Sequence, residues 1–295
     1  MAVCISLVNV FMIFYELKEA DSKYICENSN TIFANCNTFG YAFFQVNLEV
    51  LLKTIDLLHK YSEENANHAA MDIQLKIKMN EKLFIRDPEQ SELGKKIILH
   101  SIQLIHKNGF EAFTFKKLAV DIGTTEAGIY RYFENKHRLL IYLTAWYWSW
   151  VEYQVTFQTN NIKDPVVKLK RVIKLLATTV EDDSSTSYVD ESILHQIIIT
   201  EGTKAYLTKR VSEDNKDHLF KPYKDLCAVI GNMILECNPK YKYPKSLAST
   251  IIEMAHFQNF FMNNLPSLTD FGQNKDEAEI VRFLEDLVFS CIKKA

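Results

Sequence analysis

Between Gly109 and Leu140 the chain reads GFEAFTFKKLAVDIGTTEAGIYRYFENKHRLL, and no other stretch restricts the possible folds as tightly. Asn108-Gly109 predicts the end of an amphipathic helix over residues 91–107, apolar at Leu93, Ile97, Ile98, Ile102, Leu104 and Ile105, because glycine tolerates the left-handed conformation of a helix C-cap. Thr114 is the N-cap expected for a second helix. That helix places Phe115, Leu118, Ala119 and Ile122 at i, i+3, i+4 and i+7 and so buries one face. Gly123 ends it, and Thr124-Thr125 supplies a hydroxyl cap for a third helix over 126–133. A connection this short forces two helices to cross sharply, the geometry of a helix-turn-helix.

The third helix has an unusual composition. Its first turn, Thr125-Glu126-Ala127-Gly128, is short or small, with Ile129 and Phe133 as apolar anchors. A glycine inside a helix costs about 1 kcal/mol relative to alanine, and that cost makes sense where the helix end must approach another surface closely. The floor of a DNA major groove is such a surface. Tyr130 and Tyr132 cannot both face the core when Ile129 and Phe133 do, so at least one phenol points outward, where it can bond a phosphate; Tyr132 either packs or touches DNA. The next helix opens at Asn135 with Lys136, His137 and Arg138 in its first turn, where cations oppose the helix dipole. Free amides and Lys136 there form an expected anion site. Lys116 and Lys117 break the same dipole rule at the start of the second helix.

The segment resembles the DNA-binding domain of TetR-type transcriptional regulators. The resemblance rests on Gly109, Thr114-Phe115, Leu118-Ala119, Gly123, Thr125, the run Ile129-Tyr130-Arg131-Tyr132-Phe133, Asn135-Lys136 and Leu139-Leu140. It implies phosphate contacts at Tyr130 and Lys136, and places Glu126, Ala127 and Tyr132 nearest the bases. The surface expected to meet DNA therefore comprises Thr114, Lys116, Thr125, Glu126, Ala127, Gly128, Tyr130, Arg131, Tyr132 and Lys136. Thr124, the acidic Glu126 and Gly128 depart from the family pattern and bear on operator sequence more than on fold. A carboxylate in the groove either accepts from cytosine N4 or repels phosphates.

Charge distribution agrees with this placement. The net charge of −3 divides unevenly: residues 91–140 hold eight Lys/Arg against five Asp/Glu, whereas residues 1–90 hold eight against twelve and residues 141–295 eighteen against twenty. Only the helix-turn-helix segment is basic, and its +3 is modest enough that tight binding calls for two copies. The six cysteines show no C-x-x-C spacing and no Cys/His cluster, so no metal and no cofactor is expected. Cys227 and Cys237, if on one helix, lie about 15 Å apart, too far for a disulfide. A reduced, cytoplasmic compartment fits. No G-x-S-x-G, Walker A loop or H-E-x-x-H is present, so no catalytic residue is assigned and the reading of a helical enzyme is remote.

Three regions are expected: an extension over 1–90, the helix-turn-helix domain over 91–138, and a helical ligand-binding and dimerisation domain over 139–295. The apolar run at residues 1–15 is too short to span a bilayer and no cation precedes it. Met71 or Met79 looks like a natural start, which makes the extension an overlong start; the rival is a genuine helical arm, with one helical patch near Val46 to Tyr61.

After Asn135 the helical period continues to about Thr159, then further helices are predicted over 164–181, 187–201, 203–213, 217–237, 244–263 and 275–293, with no alternating strand pattern. The fold class is all-α. The last two helices are apolar on more than one side, which predicts one face for the core and one for a twin subunit. An effector pocket inside the bundle would draw on Trp146, Trp150, Tyr153, His195 and His256, each with a plain core role as the alternative. Trp146 and Trp150 share a face and Trp148 points away. The expected partners are a double-stranded operator, a second copy of the chain and a small-molecule effector of apolar character, with no membrane. A DNA-binding regulator gated by a protein partner is the alternative.

Overall fold

A computed structural model describes residues 77–179 and 188–293. The chain divides into two units, Met1–Asp72 and Ile73–Ala295, and the described residues all lie in the second. The helical patch near Val46 to Tyr61 and the alternative start at Met71 fall outside the described residues.

Every regular element among the described residues is helical. The head contains α1 (Glu92–Ala112), α2 (Phe115–Ile122) and α3 (Glu126–Tyr130). The bundle follows with α4 (Lys136–Thr159), α5 (Pro165–Ala177), α6 (Glu191–Glu201), α7 (Val211–Lys216), α8 (Lys221–Cys237), α9 (Pro244–Asn264) and α10 (Glu277–Lys293). Side-chain caps fix the starts predicted from sequence: Thr114 Oγ1 accepts from the Lys117 amide, Thr125 Oγ1 from the Gly128 amide and Asn135 Oδ1 from the Arg138 amide.

Some boundaries differ from the sequence reading. Gly109 does interrupt the first helix, with φ 75° and ψ 158°, but the chain then makes one more turn before Ala112. A positive φ at glycine kinks the helix without ending it because the exposed Phe110 amide finds an acceptor, Glu201 Oε1 at 3.0 Å, supplied by α6. The third helix stops at Tyr130 rather than at residue 133. The helix predicted over 203–213 is a 3₁₀ turn, Gly202–Ala205, followed by the separate α7.

Residues 77–90, which the sequence reading leaves in the extension, pack on α4 through the turn at Glu81–Leu83 and on α1 through the turn at Pro88–Gln90. Ile77, Leu83 and Pro88 are buried, the Ile85 amide donates to the Tyr132 carbonyl, and Ser91 caps α1.

The bundle is organised around α4. Residues 139–148 of this helix are buried without interruption, so it presents no solvent face over nearly three turns and acts as the central rod. Helices α5, α6 and α8 surround it, α9 packs on α5, α6 and α8, and α10 packs on α5 and α9. The buried stripe of α10 is Ile280, Leu284, Val288 and Ile292. Cys227 and Cys237 both lie on α8 and are free, as their spacing requires. Among the described residues no helix is long and apolar enough to cross a membrane.

Candidate nucleic-acid interface and effector cavity

The turn between α2 and α3 is built on Gly123, whose φ of 68° and ψ of 39° are left-handed. Its open surroundings would admit a side chain, so the backbone angle alone requires glycine there. From this turn the chain presents Thr114, Lys116, Thr125, Glu126, Ala127, Tyr130 and Arg131 to solvent, with Gly128 half-buried. The Tyr130 ring lies edge-on against Phe115 at 5.1 Å, which braces the phenol while leaving the residue 47% exposed. These residues share one end of the head, and nothing in the described protein covers Ala127.

Two residues assigned to DNA from sequence belong elsewhere. Tyr132 is 2% exposed; its hydroxyl lies 2.8 Å from Ser91 Oγ and Arg86 sits over its ring. It is the phenol that packs, because α3 ends at Tyr130 and the following turn rotates residue 132 inward. Lys136 is the second correction. Its ammonium donates to the carbonyls of Phe110, Glu111 and Phe113 at 3.1, 3.1 and 3.2 Å and lies 4.8 Å from the Phe110 ring centre. Lysine has three N–H donors, all committed to capping the end of α1, so Lys136 provides no free ammonium for a phosphate. Lys117 likewise donates to the Ala112 carbonyl at 2.7 Å. The apparent violations of the dipole rule are therefore satisfied by the negative end of the neighbouring helix.

The bundle carries a cavity of about 410 Å³ that opens to solvent on one side. Ile141, Ala145, Val211, Leu219, Phe220 and Pro222 give it an apolar body, and Trp148, Tyr206 and Tyr223 an aromatic end. The Trp148 and Tyr223 rings are 4.8 Å apart, and Tyr206 stacks parallel to Tyr223. Glu253 on α9 ties this end together: one of its oxygens accepts from Tyr206 at 3.0 Å and from Tyr223 at 2.7 Å. Burial, followed by the nearby Glu253 charge, raises both phenols far above their ordinary pKa and keeps them protonated donors. A smaller adjoining cleft shares Thr144, Trp148 and Tyr206 and adds Glu253 and His256.

Of the five effector candidates read from sequence, only His256 reaches these walls. Trp146 and Trp150 are core residues at 1% and 5% exposure, and Tyr153 is a surface residue stacked on Phe157. His195 is buried beside Tyr147, with Nδ1 2.6 Å from the phenol oxygen. His256 stacks on Trp148 at 5.3 Å. Burial lowers His195 to about 4; burial, with His195 nearby, lowers His256 to about 3, so both rings are neutral near pH 7. The indole expected to point away from the other two, Trp148, is the one lining the cavity, because α4 is enclosed on all sides. Tyr206, Tyr223 and Glu253 escaped the sequence reading, since they come from three separated elements and share no motif. Among the described residues no group of three His, Cys, Asp or Glu is placed to hold a metal ion.

One short helix joins the cavity wall to the start of α4. Helix α7 lines the cavity through Val211, Ser212 and Asn215. It also carries Asp214, 3.3 Å from the Arg138 guanidinium at the start of α4, with both side chains largely buried.

Comparison with known proteins places the head. Residues 97–143 match the family described as "Bacterial regulatory proteins, tetR family". No curated protein matches the chain in sequence. Among solved structures, the chain is similar to the transcriptional regulator FadR from Bacillus subtilis in complex with stearoyl-CoA (17% identity, 66% of this chain and 97% of that one, TM-score 0.49). It is also similar to a TetR-family transcriptional regulator from Syntrophomonas wolfei (14%, 67% and 93%, TM-score 0.48). A third is AibR in complex with isovaleryl coenzyme A and operator DNA (17%, 66% and 98%, TM-score 0.47). The match to the tetR family thus covers the helix-turn-helix head and the first turns of α4, and it is this segment that resembles the bacterial regulatory proteins of that family.

Proposed function

We propose that the protein is a ligand-responsive transcriptional repressor that binds a near-palindromic operator as a homodimer and releases it when a small molecule occupies the bundle cavity. The observation that carries this reading is the uncovered leading edge of α3, where Glu126, Ala127, Tyr130 and Arg131 lie together in solvent at the end of a tight helix-turn-helix. Small residues there allow approach to base edges, with Tyr130, Lys116 and the caps Thr114 and Thr125 flanking them toward the phosphates. The dimer is supported by the second apolar face of the last two helices: Phe257 and Phe283 are exposed while Phe261, Val281 and Phe289 are only half-buried. Coupling is supported by α7, which touches both the cavity and Arg138. An effector that moves α7 changes the angle at which α4 carries the head, and the half-site spacing of about 34 Å is lost.

Selection of bound duplexes from a random pool tests the reading. The expected result is an inverted repeat bound with steep salt dependence. Glu126→Ala is expected to change the preferred sequence, whereas Tyr130→Phe weakens binding to all sequences alike. A pool that shows no enrichment, or binding that ignores salt, overturns the proposal.

A further inference from the structure

The aromatic end of the cavity has a charge without a countercharge. Glu253 places its carboxylate behind two phenols, and among the described residues it forms no ion pair. Among the described residues the one cationic side chain on the cavity wall, Lys224, is exposed and bonded to Asn215 Oδ1. Three aromatic rings, Trp148, Tyr206 and Tyr223, line this end of the cavity, two of them with their hydroxyls on the carboxylate. Ring faces carry negative quadrupole potential and attract cations within about 6 Å of the ring centre. A second observation points to a ligand independently: His256 is 7% exposed, lines the cleft beside Glu253, and its Nε2 has no hydrogen-bond partner. The ring is stacked flat on Trp148 and so is held in place.

We propose that the cavity selects an organic cation, an amine or quaternary ammonium bearing an apolar body, with the cationic head at Trp148, Tyr206, Tyr223 and Glu253 and the body against Ile141, Ala145, Leu219 and Phe220. This deepens the effector role proposed above and rests on it. An anionic head finds one lysine at the rim and, behind the phenols, a carboxylate, so the charge pattern selects against it as well as for a cation. The cavity volume falls within the range of small-molecule sites.

The test is calorimetric titration of the full chain with three probes of one shape class: benzyltrimethylammonium, its uncharged carbon isostere neopentylbenzene, and the anion 4-phenylbutyrate. The cation is expected to bind at least tenfold more tightly than either of the others. Glu253→Gln, which keeps size and one acceptor, is expected to remove that preference while leaving the isostere's affinity within twofold. Equal affinities for the three probes in the parent protein, tighter binding of 4-phenylbutyrate, or an undiminished preference in Glu253→Gln overturns the proposal. The parent comparison decides the matter by itself should the variant not fold. Duplex binding measured on the same preparation separates the two readings. A protein that binds DNA but discriminates against no probe loses the cation proposal and keeps the regulatory one; cation selectivity without DNA binding does the reverse.

Discussion

Lys136 shows how a residue's partners, rather than its position, decide its work. On the sequence it sits at the positive end of α4 and suggests a phosphate site; in the fold its ammonium ends α1 by binding three carbonyls. Lys136→Met is therefore expected to lower stability by about 1.5–3 kcal/mol, the range for hydrogen bonds made by a charged group. The slope of DNA affinity against salt should stay as it is, because no phosphate contact is lost. A slope reduced by about one unit would restore the phosphate role. The histidine pair offers a second residue-scale test. With folded values near 4 for His195 and 3 for His256, and unfolded values near ~6.5, the unfolded chain binds more protons throughout that interval. Stability is therefore full well above pH 6.5 and declines as pH falls toward the folded values, by roughly 2 kcal/mol per histidine between pH 7 and 5. Urea unfolding at pH 7 and pH 5 measures it, and His256→Phe should remove its share of the decline.

At the scale of elements, the helix-turn-helix was legible because its signals are local. Thr114, Gly123, Thr125 and Asn135 each act within three or four residues of chain, and each does in the fold what its side chain permits. Helix ends that depend on distant partners were not legible. Gly109 was readable as a break, but the extra turn to Ala112 depends on Glu201, more than ninety residues away, accepting from Phe110. Helix α7 is the same kind of case, a six-residue segment too short to be stable alone and held by the Arg138–Asp214 pair. Removing one partner of a buried pair typically costs about 3–5 kcal/mol. Asp214→Asn is thus expected to lower the melting temperature by many degrees, with the double variant Arg138→Met/Asp214→Leu recovering much of the loss. If the single variant melts within a degree of the parent, the pair does not anchor α7.

For the whole molecule, the question is what the outer faces of α9 and α10 meet. Phe257 and Phe283 are each 39% exposed, and burying what remains of such rings against a second copy is worth about 1 kcal/mol apiece. The double variant Phe257→Glu/Phe283→Glu is expected to sediment as a monomer at micromolar concentration and to lose operator affinity by orders of magnitude, while a single helix-turn-helix retains weak, salt-sensitive binding. A parent protein that sediments as a monomer refutes the dimer. The sequence by itself determined the helix-turn-helix, the all-helical class and the double-faced final helices, since caps, glycine turns and the 3.6-residue period are properties of neighbours along the chain. Only the tertiary structure decided that Tyr132 and Lys136 turn inward, that Trp148 rather than Trp146 or Trp150 lines the cavity, and that Glu253 stands behind two phenols. Those outcomes depend on which of several chemically suitable partners lies within a few ångströms, and that is fixed by how distant helices pack.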